Sequence, residues 1–168
     1  TINVVAGGAI RSMMEVPKYY RMSRTKVEIG TPLQGKGGPH VDPIVEDILE
    51  KERPDGCIAR SDCVFFSDNE DATKHGLTYD VGYLQFVEPA GLPQKRDNFW
   101  IGQLQLRHFK RHDLEDLAVA HLTDQEIAKK YWDGEPSHKP NWEMVARSAT
   151  VTGHKYEEAV RVRKHPLE

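Results

Sequence analysis

Short stretches of alternating apolar and polar residues run through this chain, and such alternation is typical of half-buried β-strands. One apolar run, ending in Phe65 and Phe66, stops at a small hydroxyl residue, Ser67, and a polar segment follows at once. Loops are predicted at 34–40 and 93–97, where glycine and proline interrupt the pattern. The predicted strands lie at 18–25, at 27–33 after a turn, at 63–66, 77–87, 99–106, 142–152 and 156–163.

Apolar residues at helical spacing predict amphipathic helices in other segments. The clearest follows Asp42, which can cap a helix that has Pro43 at its first position, and it ends before the turn at Pro54. Because strands and helices mix without a regular βαβ alternation, the expected fold class is α+β. Further helices are predicted at 9–15, 70–76, 113–121 and 124–132, the last of which begins with a capping box.

Length and charge narrow the possibilities further. With 168 residues the chain is long enough for one domain with a real core, so 1–168 is expected to be a single domain with a lead-in segment at 1–18 and a charged tail at 164–168. The 23 basic and 26 acidic residues give a formal net charge of −3. This balance excludes the global basic field of a dedicated nucleic-acid binder, although a local basic patch remains compatible with it.

Cysteine usage and hydropathy favour an intracellular location. Cys57 and Cys63 have neither a CxxC spacing nor the density of a secreted disulfide scaffold, which fits a reducing compartment. No apolar run approaches the roughly eighteen residues of a membrane span, and the first residues lack the features of a signal peptide. A soluble, cytoplasmic protein without membrane association is therefore expected. The first residue is Thr1 rather than Met, which leaves processing or excision from a longer chain open.

Three polar residues stand in contexts that suggest a ligand site. Arg21 follows two tyrosines, and a guanidinium at a strand end can bind a diphosphate bidentately; the alternative is a surface arginine, with Arg24 as a competitor. Ser67 is expected at a strand end facing a cleft, as a helix N-cap, or in both roles. Glu143 lies in a predicted strand, where glutamate is disfavoured and costly to bury, so it is either a functional carboxylate or an exposed strand residue.

The order of these residues, in the contexts 19–25, 60–76 and 141–151, resembles the arginine-serine-glutamate class of the ADP-ribosyltransferase superfamily, of bacterial or phage type. The resemblance implies a split, mostly antiparallel sheet core flanked by short helices. It also implies that NAD is the co-substrate, that ADP-ribose passes to a protein or a nucleic acid, and that nicotinamide is released. A toxin or effector that works in the cytoplasm, including that of a host cell, fits this activity.

The resemblance also assigns roles to individual residues. It makes Arg21, Ser67 and Glu143 catalytic, and it makes Tyr20, Arg21, Met22, Phe66 and Ser67 cofactor-binding. Of the adjacent pair Phe65 and Phe66, one ring is expected in the core and one against the nicotinamide. Asn141 stands two positions before Glu143, where arginine-modifying relatives carry a carboxylate. Because an amide cannot act as a base toward guanidinium, this position argues against arginine as the acceptor.

Two other hypotheses stay open. A metal hydrolase is suggested by His108 and His112 at i, i+4 spacing with His121 nearby, although no HExxH motif is present and two cations intervene. A nucleic-acid or protein-binding module is suggested by a basic, aromatic stretch, whose members are Lys95, Arg96, Phe99, Trp100, Arg107, Phe109, Lys110 and Arg111. The glycine-rich loop 34–40 matches neither GxxxxGK[ST] nor GxGxxG, so it is a weak candidate for a phosphate loop.

Overall fold

The structure is a computed structural model that describes residues 18–75, 81–109 and 111–161. Its strands are β1 (Tyr19–Ser23), β2 (Pro32–Gln34), β3 (Val64–Phe66), β4 (Val81–Pro89), β5 (Gln94–Asp97), β6 (Trp142–Ala146), β7 (Ser148–His154) and β8 (Val160–Arg161). Its α-helices are α1 (Pro43–Lys51), α2 (Glu70–His75), α3 (Phe99–His108) and α4 (Asp124–Trp132). Short 3₁₀ helices lie at Arg60–Asp62 and His112–Leu114. The helix predicted at 9–15 and the tail at 164–168 lie outside the described residues.

The described strands form two sheets, and their pairings are antiparallel. The larger sheet has the order β1-β4-β7-β2, with β8 also paired to β4. The smaller sheet has the order β3-β6-β5. The prediction of an α+β fold with mostly antiparallel sheets is therefore confirmed.

Main-chain hydrogen bonds join the two sheets where β1 passes the end of β3. The amide of Tyr20 donates to the carbonyl oxygen of Ser67 at 2.7 Å, and the amide of Ser67 donates to the carbonyl oxygen of Tyr20 at 2.9 Å. This isolated antiparallel bridge fixes the middle of β1 beside the residue that follows β3. Side chains from both sheets consequently approach one another at this junction.

An apolar core packs between the sheets. Its buried members are Val64, Phe66, Val87, Met144, Ala146, Ala149 and Val151. In β3 and β6 these residues occupy alternate positions, so Phe65 of β3, and Glu143 and Val145 of β6, lie on the opposite face of the smaller sheet. That opposite face is the one available for a site.

A second apolar core lies among α1, α3 and α4. It is built around Val45, Leu49, Trp100, Ile101, Leu104, Val119, Ile127, Ala128, Tyr131 and Trp132. The predicted helix starts are confirmed: Asp42 Oδ1 accepts the amide of Ile44 at 2.9 Å, and the capping box of Thr123 and Glu126 is present. Within the described part of the chain, none of the helices has the length and apolar character needed to cross a membrane.

Two neighbouring predictions are wrong, because the predicted loop 93–97 contains β5 and the predicted strand 99–106 is α3. The alternation at 99–106 suits a strand, but Trp100, Ile101 and Leu104 are buried at helical spacing against α1 and α4. Strand β5, which comes just before α3, is stabilised by pairing with β6. This is a long-range contact that local sequence does not reveal.

The helix predicted at 113–121 is also wrong, since this segment contains a short 3₁₀ helix followed by turns. Asp116 explains the difference through side-chain bonds to the main chain. Its carboxylate accepts the amide of Ala118 at 2.9 Å, and its own amide donates to the side-chain oxygen of Gln103 at 2.9 Å. Local bonds of this kind compete with the hydrogen bonds of a continuous helix.

Asp97 holds the end of β5, the start of α3 and the segment before β6 together. It is fully buried. Its Oδ1 accepts the amides of Phe99 at 3.0 Å and Asn141 at 2.9 Å, and its Oδ2 accepts the amide of Ser137 at 2.7 Å. A buried carboxylate with such partners is stabilised by charge-assisted bonds and fixes where β6 begins.

Asp97→Ala is expected to lower the free energy of unfolding by about 3 kcal/mol or more, because it removes the acceptor from buried backbone amides. Denaturant titration followed by circular dichroism measures this loss. The control Asp55→Ala removes an exposed loop carboxylate and should change the same free energy by less than about 0.5 kcal/mol. Equal, small losses in both variants would contradict the role given to Asp97.

Candidate functional site

A cleft of about 410 Å³ opens at the junction of the two sheets. This volume lies in the range of roughly 300–1,000 Å³ that is usual for sites that bind small molecules and cofactors. Its lining comes from β1, β2, the glycine-rich loop, β3, α2, the start of α3 and β6. The residues are Tyr20, Arg21, Met22, Leu33, Gln34, Lys36, His40, Cys63, Val64, Phe65, Phe66, Ser67, Thr73, Asn98, Asn141, Trp142 and Glu143.

The three residues predicted to be catalytic all line this cleft. Arg21 comes from the middle of β1, Ser67 directly follows β3, and Glu143 lies in β6. In the β3–β6 register Val64 opposes Ala146 and Phe66 opposes Met144. Continuing that register by one residue sets Ser67 opposite Glu143, and residues opposed in this way have side chains on the same face.

The residues predicted to bind the cofactor also line the cleft, but they differ in exposure. Met22 and Phe66 are buried in the core, and only 7% and 4% of their surfaces are exposed. Phe65, on the other face of β3, is only partly buried and faces Arg60 and His40. Phe66 is therefore the core ring of the pair, and Phe65 is the ring available to a ligand.

Ser67 is held in place by the turn that leads into α2. Its Oγ accepts the amide of Asn69 at 3.0 Å, while the carbonyl oxygen of Asn69 accepts the amide of Thr73 at 3.1 Å. Asn69 therefore takes the N-cap position, and the prediction that Ser67 caps the helix is corrected by two residues. Because the hydroxyl accepts this bond, its own hydrogen remains to be donated to another group.

Glu143 is partly buried, and its pKa is raised above the ordinary value of 4.5. Burial is the main cause, because it disfavours the charged carboxylate. The Arg60 guanidinium and a hydrogen bond from the Asn98 side chain act in the opposite direction, and the Glu46 carboxylate adds to the rise. The alternative prediction, an exposed strand glutamate, is therefore not what the structure shows.

Arg60, which the sequence did not single out as a site residue, is buried behind the cleft with 5% of its surface exposed. Its Nε donates to Glu46 at 3.0 Å, and its Nη1 donates to the hydroxyl of Tyr131. Its guanidinium carbon lies 4.8 Å from the centroid of the Phe65 ring. Burial alone would lower the pKa of Arg60, but Tyr131 and Glu46 outweigh burial and raise it.

The glycine-rich loop forms one wall of the cleft and is fixed to the 3₁₀ helix that begins at Arg60. A Cβ on Gly35 would lie 2.3 Å from the carbonyl carbon of Asp62, so this close approach requires glycine. The amide of Gly37 donates to the carbonyl oxygen of Ser61 at 3.0 Å. The loop thereby brings Lys36 and His40 to the cleft, while phosphate binding by its amides stays a prediction.

His40 contributes a largely neutral imidazole to that wall. Its ring centroid lies 4.4 Å from that of Phe65 in an edge-to-face arrangement. Burial and the nearby Arg60 guanidinium lower the pKa of His40, and these effects exceed the opposing effect of Glu46. At neutral pH the cationic charge among the described lining residues therefore comes from Arg21 and Lys36.

Within the described residues, the side chains behind the two rival hypotheses are not grouped as those hypotheses expect. Helix α3 ends at His108, so the predicted helical face shared with His112 is wrong; His108 Nε2 lies 2.8 Å from Asp124. Among residues 18–75, 81–109 and 111–161, no group of His, Cys, Asp and Glu side chains has the arrangement of a metal site. In the basic stretch, Arg96 is buried and Arg107 pairs with Asp124, while Lys110 lies outside the described residues.

Comparison with protein-family models, with curated proteins and with solved structures finds no match to this chain. The chemistry of the cleft residues is therefore the basis for assigning a function.

Glu143→Gln is expected to stabilise the fold at neutral pH by about 1 kcal/mol, because the raised pKa means that the ionised carboxylate is disfavoured in the native state. Protonation relieves this penalty, so the advantage of glutamine should shrink as pH falls through the raised pKa. Thermal melting from pH 4 to pH 8 measures both effects, with a shift in Tm of about 2–4 °C at neutral pH.

Glu88→Gln is the matched control, since Glu88 is an exposed glutamate in β4. Its melting temperature should follow that of the wild type across the same pH range. A Glu143→Gln variant that melts below the wild type at neutral pH would mean that the ionised carboxylate stabilises the fold.

Proposed function

We propose that this protein transfers ADP-ribose from NAD to a macromolecular acceptor and releases nicotinamide, on a fold of the ADP-ribosyltransferase type. The observation that carries the proposal is the meeting of Arg21, Ser67 and Glu143 in one cleft, although they are far apart in sequence and come from both sheets. The three motifs were grouped because their order along the chain resembles that of one class of enzyme. Packing alone gives little reason for their side chains to meet in one cleft.

Arg21 is the proposed diphosphate ligand. A guanidinium is permanently charged and presents parallel N–H donors that match two phosphate oxygens. Lys36, on the facing loop wall, supplies a second positive charge to the same cleft. A ligand with two adjacent phosphates, such as NAD, suits this pair better than a ligand with one negative charge.

Glu143 is the proposed stabiliser of the reacting sugar. When the bond between the ribose C1′ and the nicotinamide nitrogen breaks, its electron pair leaves with nicotinamide and positive charge develops on the ribose. An ionised carboxylate in a partly buried site stabilises this charge more in the transition state than in the ground state. The acceptor then bonds to C1′ and loses its proton.

Ser67 and Phe65 complete the proposed nicotinamide end of the site. The Ser67 hydroxyl retains a hydrogen for donation and stands opposite Glu143 in the extended β3–β6 register. Phe65 offers an aromatic surface beside it for stacking against a flat ring. Together they would orient the leaving group and the carboxylate that faces it.

The proposal is tested by incubating the purified protein with NAD labelled in its adenylate part and a cell lysate, and by following label in macromolecules. The wild type should incorporate label and release free nicotinamide. Glu143→Gln should reduce transfer by at least about 100-fold while retaining NAD binding by calorimetry, because the carboxylate acts on the transition state.

Arg21→Ala should instead weaken NAD binding by about ten-fold or more, since a charge-assisted contact with the diphosphate is lost. Arg24→Ala is its control, because Arg24 is exposed and lies outside the lining of the cleft. Failure of the wild type to bind NAD at millimolar concentration would remove the proposal. Salt-sensitive nucleic-acid binding without NAD turnover would favour a binding module instead.

The acceptor is proposed to be a side chain other than arginine, or a nucleobase. Asn141 lies at the exposed rim of the cleft, two residues before Glu143, and its amide cannot remove a proton from guanidinium. Mass spectrometry of the modified lysate should therefore find ADP-ribose mainly away from arginine. Asn141→Glu should increase the arginine-linked fraction, and dominant arginine modification that persists in Asn141→Ala would show that this position does not govern acceptor choice.

A further inference from the structure

Gln85 is a fully buried glutamine in β4, a central strand of the larger sheet. Within the described residues, neither the Nε2 nor the Oε1 atom of its side chain has a hydrogen-bond partner. A buried amide without partners destabilises a fold, whereas an apolar side chain of similar shape avoids this penalty. Packing therefore does not explain why an amide stands at this position.

The strand register places Gln85 beside Arg21. These two residues are direct partners in the β1–β4 pairing, and Tyr19 opposes Val87 two residues along. The ring of Tyr19 packs edge to face on Phe66, with centroids 5.2 Å apart, so this face of the larger sheet is turned toward the smaller sheet. Opposed residues of an antiparallel pair share a face, with Cβ atoms about 4.5–5.5 Å apart. Gln85 consequently lies behind Arg21, which lines the cleft.

The cross-strand neighbour of Gln85 on its other side is directed elsewhere. His154 opposes Gln85 in the β4–β7 register, and its Nε2 donates to the carbonyl oxygen of Val27 at 2.6 Å. That bond turns the imidazole to the segment before β2. Arg21 is then the complementary neighbour, because a guanidinium has only donors and the Oε1 atom of Gln85 is an acceptor.

We infer that Gln85 is a positioning residue for Arg21. Its Oε1 atom accepts one N–H of the guanidinium when the cleft holds a diphosphate, and the other donors are thereby directed to the phosphate oxygens. This inference rests on the proposed role of Arg21 as the diphosphate ligand. Hydrogen bonds of catalytic sites often tighten only in the substrate complex, and an amide with no competing partner among the described residues is available for such a bond.

A neutral acceptor suits this task better than a carboxylate. A carboxylate beside Arg21 would neutralise its charge and repel an anionic diphosphate, whereas an amide oxygen orients the guanidinium and leaves the charge available. Bidentate binding of two phosphate oxygens depends on the orientation of the guanidinium plane. Loss of the Gln85 amide should therefore weaken diphosphate binding although Arg21 is unchanged.

The test compares Gln85→Met with the wild type. Methionine keeps the approximate shape of glutamine and removes both unpaired polar atoms, so the melting temperature should rise by about 2–4 °C. Calorimetry with inorganic pyrophosphate should show binding weakened by about five-fold, the effect of losing one hydrogen bond. In the NAD reaction, KM should rise by a similar factor with little change in kcat. Gln85→Leu, a second apolar variant, should show the same changes in binding and KM.

Gln103→Met is the matched control. Gln103 is also buried, in α3 outside the cleft lining, but its Oε1 accepts the amide of Asp116 at 2.9 Å. The substitution should therefore lower the melting temperature and leave pyrophosphate binding unchanged. The two buried glutamines are thus expected to respond with opposite signs in stability, and only one of them should affect the cleft.

A double-mutant cycle shows whether Gln85 acts through Arg21. When Arg21→Ala is already present, Gln85→Met should weaken pyrophosphate binding no further, because the group that it orients is gone. A five-fold loss that persists in the Arg21→Ala background would contradict the inference, since Gln85 would then act independently of Arg21.

Unchanged pyrophosphate binding in both Gln85→Met and Gln85→Leu would also overturn the inference, as would a wild type that does not bind pyrophosphate. The calorimetry requires no turnover. Pyrophosphate binding that depends on Gln85 and Arg21, without any NAD turnover, would therefore refute the proposed function and leave the role of Gln85 in place.

Discussion

The buried guanidinium of Arg60 is the interaction on which both the fold and the cleft depend. It is bound by Glu46 of α1 and Tyr131 of α4, and it lies against the ring of Phe65 in β3. A charge this deeply buried has to be paired, and removing one partner of such a pair costs about 3–5 kcal/mol. Arg60 therefore fixes the helical core against the smaller sheet, and through Phe65 it also supports the floor of the cleft.

The same pairing determines the character of Glu143. Glu46 makes the direct ion pair with Arg60. The Arg60 charge also acts electrostatically on Glu143 and favours its ionised form. Its carboxylate is consequently neither fully neutralised by an ion pair nor fully solvated, and burial raises its pKa. A carboxylate in this intermediate state keeps its capacity to stabilise a positive charge that appears during a reaction. A tighter pair with Arg60 would stabilise the protein and remove that capacity.

Sequence patterns predicted the positions of Arg21, Ser67 and Glu143 because strand alternation and the polar residue that ends a strand are local signals. They could not predict β5 or α3, since the alternation at 99–106 fits both helix and strand and only packing against the other helices decides between them. Arg60 was missed for a related reason. A buried cation has no periodic signature, and its partners Glu46 and Tyr131 are distant in sequence.

The convergence of the three motifs follows from two backbone pairings. The bridge between Tyr20 and Ser67 sets β1 beside the end of β3. The β3–β6 register, continued by one residue, sets Glu143 opposite Ser67. A shift of the β3–β6 register by one residue would turn Ser67 or Glu143 to the opposite face, toward the apolar core. The core residues Phe66 and Met144 prevent this, because the shift would expose them. The hydrophobic pattern of β3 and β6 therefore does more than stabilise the sheets: it keeps the polar side chains of the cleft on one face.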